Sequence, residues 1–198
     1  MDREWFGKRD IESIASQLLK GGVDVIQYRD KISDTDEIIR NTQTLRRMTR
    51  NQGIPLIIND RLDVAMAVDA DGIHIGQNDM PASIIRRLSP ELMVGVSVSS
   101  IEEFEQVKDA DYFGVGAVFS TETKKIDTVP GLELVREIRK RTNLTLIGIG
   151  GINPSNAGDA IHAGCNGVAV ISALLGVESI DQAAIHLKRT ILDAKVTL

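Results

Sequence analysis

Short apolar runs rich in β-branched residues alternate along this chain with longer stretches whose apolar residues recur every three or four positions, and that alternation restricts the fold more than any other feature. The runs are Val23–Tyr28, Pro55–Ile58, Gly72–Ile75, Met93–Val98, Tyr112–Val118, Leu144–Ile149 and Gly167–Ile171. Helical patterns cover Ile11–Lys20, Asp34–Gln52, Leu62–Val68, Pro81–Leu88, Ser100–Val107, Gly131–Arg141, Asn153–Ala163 and Asp181–Ala194. Several runs are almost wholly apolar, as parallel strands covered on both faces are. Four joints between a helix end and a strand also echo one another: Gly22-Val-Asp-Val-Ile26, Ala70-Asp-Gly-Ile73, Ala110-Asp-Tyr-Phe113 and Cys165-Asn-Gly-Val168. Repetition of one βα unit without a Pro- or Ser-rich linker predicts a single α/β domain over residues 1–198, a (β/α)8 TIM barrel, with an open doubly wound sheet as the alternative. A dinucleotide site is rejected, because Gly148-Ile-Gly-Gly-Ile152 comes late and lacks the Gly-x-Gly-x-x-Gly spacing. Eight helices require eight strands, and nothing before Ile11 reads as one. The β-prone tail Ala194–Leu198 is therefore expected to lie parallel to the Val23 strand, from the same chain or a neighbour, and to close the ring.

Composition narrows the function classes. With 198 residues, 42% of them hydrophobic, the chain can bury an adequate core without disulfides or a structural metal. A formal net charge of −5 gives no basic field for nucleic acid or an anionic membrane. One cysteine, Cys165, supplies neither a disulfide framework nor a zinc pattern and suits a reducing, cytoplasmic setting. The charged N-terminal segment and the lack of a long apolar run give no signal peptide or membrane span.

In a barrel of this kind the site lies at the carboxyl ends of the strands. The first run ends in Gln27-Tyr28-Arg29-Asp30-Lys31, whose alternation sends Gln27, Arg29 and Lys31 to one side. The next two end in Asn59-Asp60 and Gly76-Gln77-Asn78-Asp79. Either aspartate could serve only as a helix N-cap. Two acids from neighbouring loops, completed by water and phosphate oxygens, are also how Mg²⁺ is commonly held, which makes Asp60 and Asp79 the candidate pair. Ser97 closes the fourth run, while Ser99 or Ser100 suits a cap. The long polar segment Ser120–Pro130, with Lys124 and Lys125 in its middle, has the character of a lid or of a solvated loop. Glycines at 148, 150 and 151 and the Ile171-Ser172 joint after the last runs suit backbone N–H contacts to a phosphate. His74 reads as a hydrogen-bonded barrel histidine, Cys165 as packing, and His162 and His186 as helix residues away from the mouth. With no nucleophile or base in evidence, chemistry driven by departure of a diphosphate fits these groups. The partners expected are small phosphorylated molecules, and a homo-oligomer stays open.

These segments resemble the family of thiamine phosphate synthases and TenI-type thiazole tautomerases from about Asp2 to Leu175. The resemblance is carried by Gln27–Lys31, Pro55–Asp60, Asp71–Asp79, Gly95-Val-Ser97, Gly114–Lys125, Gly148–Ile152 and Val168–Ser172. It implies a Mg²⁺-dependent transferase joining 4-amino-2-methyl-5-hydroxymethylpyrimidine diphosphate to a thiazole phosphate, with release of pyrophosphate. It assigns Arg29, Lys31, Asn59 and Lys124 to the diphosphate, Asp60 and Asp79 to Mg²⁺, and Gln27 and Ser97 to the pyrimidine. Thr121, Thr123, Gly151, Ile171 and Ser172 receive the thiazole phosphate, and Lys124, Arg29 and Lys31 are the catalytic cations. The rivals are a thiazole tautomerase, disfavoured because Ala117 stands where that group places a histidine, and a non-catalytic barrel that binds a thiamine precursor. The family also opens with a strand ending in Thr-Asp-Arg, where this sequence has only Met1-Asp2-Arg3, and the Lys125–Gly131 stretch is shorter than usual.

Overall fold

The computed structural model describes residues 1–120 and 131–197. The apolar runs form parallel strands β1 (Ile26–Tyr28), β2 (Leu56–Asn59), β3 (Gly72–Ile75), β4 (Met93–Val98), β5 (Tyr112–Gly116), β6 (Thr145–Ile149) and β7 (Gly167–Ala169), hydrogen-bonded in sequence order. The helices are α1 (Arg3–Phe6), α2 (Ile11–Lys20), α3 (Thr35–Arg50), α4 (Leu62–Ala67), α5 (Ala82–Leu88), α6 (Ile101–Gln106), α7 (Gly131–Arg139), α8 (Ala157–His162), α9 (Ser172–Leu175) and α10 (Ile180–Val196). Every helix expected from the period is present, and the single turns α1 and α9 add to them. Asp10 and Asp34 start α2 and α3 by accepting the N–H of Ser13 and Glu37, each at 2.8 Å.

The two faces of the sheet have different chemistry. Ile26, Tyr28, Leu56, Ile58, Ile73, Ile75, Val94 and Val96 alternate onto the outer face and form one buried cluster with Leu45, Ile85 and Ile138 from the helices. Each such side chain contributes about 1.5–3 kcal/mol by leaving water. The inward positions include apolar Ile57, Ile147 and Ile149 but also Gln27, Asn59, His74, Ser97 and Tyr112, with Gly95 and Gly114 between them; Asn59 lies opposite His74, His74 opposite Gly95, Gly95 opposite Tyr112, and Ser97 opposite Gly114.

At the amino ends of the strands, the echoed joints form one repeated device. Asp71 accepts the Leu56 N–H at 2.7 Å and pairs with Arg46 of α3 at 2.6 Å. Asp111 accepts the Val94 N–H at 2.7 Å and pairs with Arg86 of α5 at 2.5 Å. Asn166 accepts the Leu146 N–H at 2.9 Å and takes Arg139 of α7 at 3.1 Å. Each clamp joins the start of one strand to the start of the previous strand and to the helix before it. The fourth joint supplies only part of this: Asp24 pairs with Lys188 of α10 at 2.8 Å and, among the described residues, meets no strand N–H.

The reason is that the sheet is a seven-stranded curl and not a closed ring. β1 and β7 are its edges, and both face a cavity of about 680 Å³ lined by Val25, Gln27, Ile57, Tyr112, Val170 and the α10 face that carries Lys188. The tail does not fill this gap, contrary to expectation. Residues 180–196 continue as α10, Val196 is 86% exposed, and no described tail residue pairs with β1. Extending an existing helix needs no new nucleus, and His162 Nε2 reaches the Ala194 carbonyl at 3.2 Å and the Thr197 hydroxyl at 3.0 Å, holding the last turn. As expected, no strand precedes Ile11 among the described residues, and the N-terminus contributes a single bridge. Asp2 forms a parallel bridge with Arg29, whose N–H donates to the Met1 carbonyl and whose carbonyl accepts from Arg3, both at 2.9 Å. The edge strands contract, β1 starting at Ile26 and β7 ending at Ala169, after which Ile171 becomes the N-cap of α9; the central β5 also ends early, at Gly116.

Candidate active site

The carboxyl ends of β1 to β4 place a continuous polar array at one mouth. Gln27 Nε2 donates to Asn59 Oδ1 at 3.2 Å across the β1–β2 pair. One step above, Lys31 is ion-paired with Asp60, and the Asp60 carboxyl lies within hydrogen-bonding reach of Asp79. Neither aspartate caps a helix: Arg61 and Pro81 hold the N-cap positions of α4 and α5. Asp60 instead has a left-handed backbone, φ 62°, fixed where its N–H donates to the His74 carbonyl at 2.8 Å. Asp79 is aimed by the Gly76 N–H, which donates to its Oδ2 at 2.7 Å. Burial pushes the Asp60 carboxyl above the ordinary carboxylate range, and the adjacent Asp79 adds to that rise against the pull of Lys31. Two crowded carboxylates, with Lys31 paired to one of them, form a donor set suited to a hard divalent cation, so the residues fit Mg²⁺.

Arg29 is placed at the same mouth by Asp2, whose buried Oδ2 accepts from its Nη1 at 2.7 Å while Oδ1 accepts the Glu4 N–H at 3.0 Å. Asp2 went unread in the sequence, although an aspartate two residues before Glu4 has the pattern of a helix cap.

Ser97 stands deeper. Its Oγ is 2.8 Å from His74 Nε2, and His74 Nδ1 is 3.0 Å from the Tyr112 hydroxyl, so the barrel-histidine reading of His74 holds. Gln77 Nε2 donates to the Ser97 carbonyl at 2.6 Å. Ser100 caps α6 through the Glu103 N–H at 3.2 Å, as the serine pattern suggests.

Across the mouth, the turn after β6 is fastened to the segment after β5. Val118 N–H donates to the Ile149 carbonyl at 2.8 Å and Phe119 N–H to the Gly150 carbonyl at 3.1 Å. Gly151 has φ 67°, and a Cβ there would lie 2.4 Å from the Ser120 carbonyl oxygen, so only glycine permits this approach. Asn156 secures the turn by donating to the Gly151 carbonyl at 3.0 Å. Ile171 precedes α9 without any side-chain cap, leaving the first-turn N–H groups at Ser172 toward this end. The Gly131 N–H donates to the Ala117 carbonyl at 3.2 Å, so the chain returns after residues 121–130 to the point it left. Thr121, Thr123, Lys124 and Lys125 lie outside the described residues. At the far end, burial raises the Cys165 thiol to about 11, consistent with a packing role. No helix among the described residues is long and apolar enough to cross a membrane.

Residues 1–174 match the family model described as thiamine monophosphate synthase. The chain is 45% identical over 197 residues to the thiamine-phosphate synthase of Roseiflexus sp. (strain RS-1), covering 98% of this chain and 84% of that protein. It is 43% identical over 183 residues to the enzyme of the same name from Chloroflexus aurantiacus, covering 91% and 85%. The solved thiamine phosphate pyrophosphorylase from Pyrococcus furiosus superposes with a TM-score of 0.88 at 39% identity, over 98% of this chain and 93% of that one.

Proposed function

The chain belongs to the thiamine monophosphate synthase family, a group of transferases that join a pyrimidine diphosphate to a thiazole phosphate, and from that premise we propose how its residues divide the reaction. The observation that carries the reading is the Lys31–Asp60–Asp79 array beside the Gln27–Asn59 amide pair. Asp60 and Asp79 hold Mg²⁺, which when bound neutralises charge on the departing pyrophosphate. Arg29, Lys31, Asn59 and Lys124 grip the same diphosphate. Lowering the charge of the leaving group is the main electrostatic demand of the step, because the electron-rich aminopyrimidine tolerates positive charge at its methylene. Gln27 and Ser97 orient that ring. Thr121 and Thr123, with backbone groups at Gly151, Ile171 and Ser172, hold the thiazole phosphate so that its ring nitrogen attacks the methylene carbon. Once both substrates are held, the protein has only to align them and exclude water.

Residues 1–198 act as one domain in the cytoplasm, a setting that suits a lone buried thiol. The working fold is an eight-stranded barrel in which an eighth strand occupies the slot between β1 and β7. Two features support it: the Asp2–Arg29 bridge runs parallel just past the end of β1, and Asp24–Lys188 repeats the clamp without a strand N–H among the described residues.

The metal assignment is tested by titrating Mg²⁺ against pyrophosphate release with both substrates saturating. Asp79→Ala raises the Mg²⁺ concentration for half-maximal rate by about tenfold or more, roughly the weight of one lost charged ligand. An unchanged Mg²⁺ dependence removes Asp79 from the site.

A further inference from the structure

The interior of the curl carries a polar line that runs from its floor to its mouth: Tyr112, His74, Ser97. Inward positions in a barrel of this type are ordinarily packed with branched apolar side chains. Here Gly95 and Gly114 are glycine for a steric reason. A Cβ on Gly95 would lie 2.0 Å from the Tyr112 ring, and a Cβ on Gly114 would lie 2.9 Å from the His74 ring. The space that two side chains would fill is given to a phenol and an imidazole, whose ring centroids are 5.5 Å apart. The Tyr112 hydroxyl lies 3.0 Å from His74 Nδ1, and the opposite ring nitrogen, Nε2, lies 2.8 Å from Ser97 Oγ.

The direction of these bonds follows from counting donors. Burial raises the Tyr112 pKa, so the phenol keeps its proton. Among the described residues its hydroxyl has one hydrogen-bond partner, His74 Nδ1. A buried O–H left without an acceptor is costly, so Tyr112 donates to Nδ1. The imidazole proton is then on Nε2 and is donated to Ser97 Oγ. Ser97 therefore spends a lone pair on His74 and keeps its own hydrogen for the mouth. Were the line to run the other way, Ser97 would spend its hydrogen on Nε2 and could offer a ligand only a lone pair.

We propose that Tyr112 is a positioning residue that, through His74, sets the Ser97 hydroxyl as a hydrogen-bond donor to a ring nitrogen of the bound aminopyrimidine. Use of that donor on the pyrimidine rests on the assignment of Ser97 in the preceding section; the polarity of the line does not. The line also explains why a tyrosine on the floor of the curl, remote from the reacting atoms, would govern recognition of one substrate and not the other.

The test separates the two statements. In ¹⁵N-histidine-labelled, ligand-free protein, two-bond ¹H–¹⁵N correlations read the His74 tautomer directly. The wild type shows Nε2–H, and Tyr112→Phe, which keeps the ring over Gly95 but removes the donor, shifts His74 toward a mixture containing Nδ1–H. In steady-state kinetics Tyr112→Phe raises KM for the pyrimidine diphosphate about tenfold, with KM for the thiazole phosphate unchanged and kcat within about threefold, the split expected of lost ground-state orientation. Ser97→Ala produces the same split, and combining the two substitutions adds little to either, since both act through one bond. An unaltered Nε2–H tautomer in Tyr112→Phe, or an Nδ1–H tautomer in the wild type, overturns the proposal. A tautomer shift in Tyr112→Phe with an unchanged pyrimidine KM in Ser97→Ala upholds the line and overturns the assignment of Ser97 to the pyrimidine.

Discussion

At the amino ends of the strands Asp71, Asp111 and Asn166 each meet one backbone N–H and one arginine, whereas at the carboxyl ends Asp60 and Asp79 meet each other. In the first group every charge or dipole is matched by a partner from the chain, and the result is structural: strand is tied to strand and to the helix before it. In the second two carboxylates crowd each other, offset among the described residues by Lys31 on Asp60 and by the Gly76 N–H on Asp79. Under the proposed function, the counter-charge for that pairing comes with the bound cation. Acidic residues of the same type thus separate into scaffold and site according to whether the polypeptide itself satisfies them.

The sharpest way to break this contrast is to remove one charge from the mouth. Asp60→Asn lowers the rate of pyrophosphate release by about 10²–10³, the weight of an electrostatic contact made at the reacting centre. The same change leaves the melting temperature equal or higher. The sign follows from linkage: the folded Asp60 pKa lies above its unfolded value, so near neutral pH the ionised group is disfavoured in the fold, and stability rises only as pH falls through the folded pKa toward the unfolded value. Asparagine removes the penalty and accepts the left-handed backbone at this position at least as well. A fall in melting temperature together with retained activity would place Asp60 among the scaffold acids.

The reverse substitution tests the other end. Asp111→Ala strips the Val94 N–H and Arg86 of their shared acceptor and costs about 2 kcal/mol, which lowers the melting temperature by roughly 6 °C while kcat is kept. Thermal unfolding followed by circular dichroism, with a parallel assay, reads both quantities. The smallest effect is at the vacant clamp. Asp24→Ala in the 198-residue chain removes only a solvent-exposed pair with Lys188 and costs less than about 0.5 kcal/mol. In a protein lengthened by a β-forming segment ahead of Met1, the same substitution costs as much as Asp111→Ala if that segment enters the slot and is clamped. Equal, small losses in both proteins would show that the slot takes no strand.

The period of the sequence made the strands and helices legible, because each outer face must be apolar to pack on its helices. The mouth was legible for a related reason: residues at strand ends in a βα repeat have one place to go, and Gln27, Lys31, Asn59, Asp60 and Asp79 met there. The clamps were visible only as an echo. Their arginines, Arg46, Arg86 and Arg139, lie 25, 25 and 27 residues before the acceptors they meet, a separation that carries no local signal. The tail was misread because Val-Thr-Leu favours strand on propensity alone, while the helix already formed through Ala194 and the contacts of His162 decide the matter in the fold. Tyr112 gave no sign of its reach, since that depends on the space left by Gly95 on the neighbouring strand.

The hydrogen bond from Gly131 to Ala117 has a further consequence. Residues 121–130 depart from and return to a single point already secured by the fastening of Val118 and Phe119 to the β6 turn. For a stretch with both ends on one anchor, doubling the length costs roughly 0.6 kcal/mol of closure entropy. The length of chain between Ser120 and Gly131 is therefore a variable that selection can change at little cost in closure entropy.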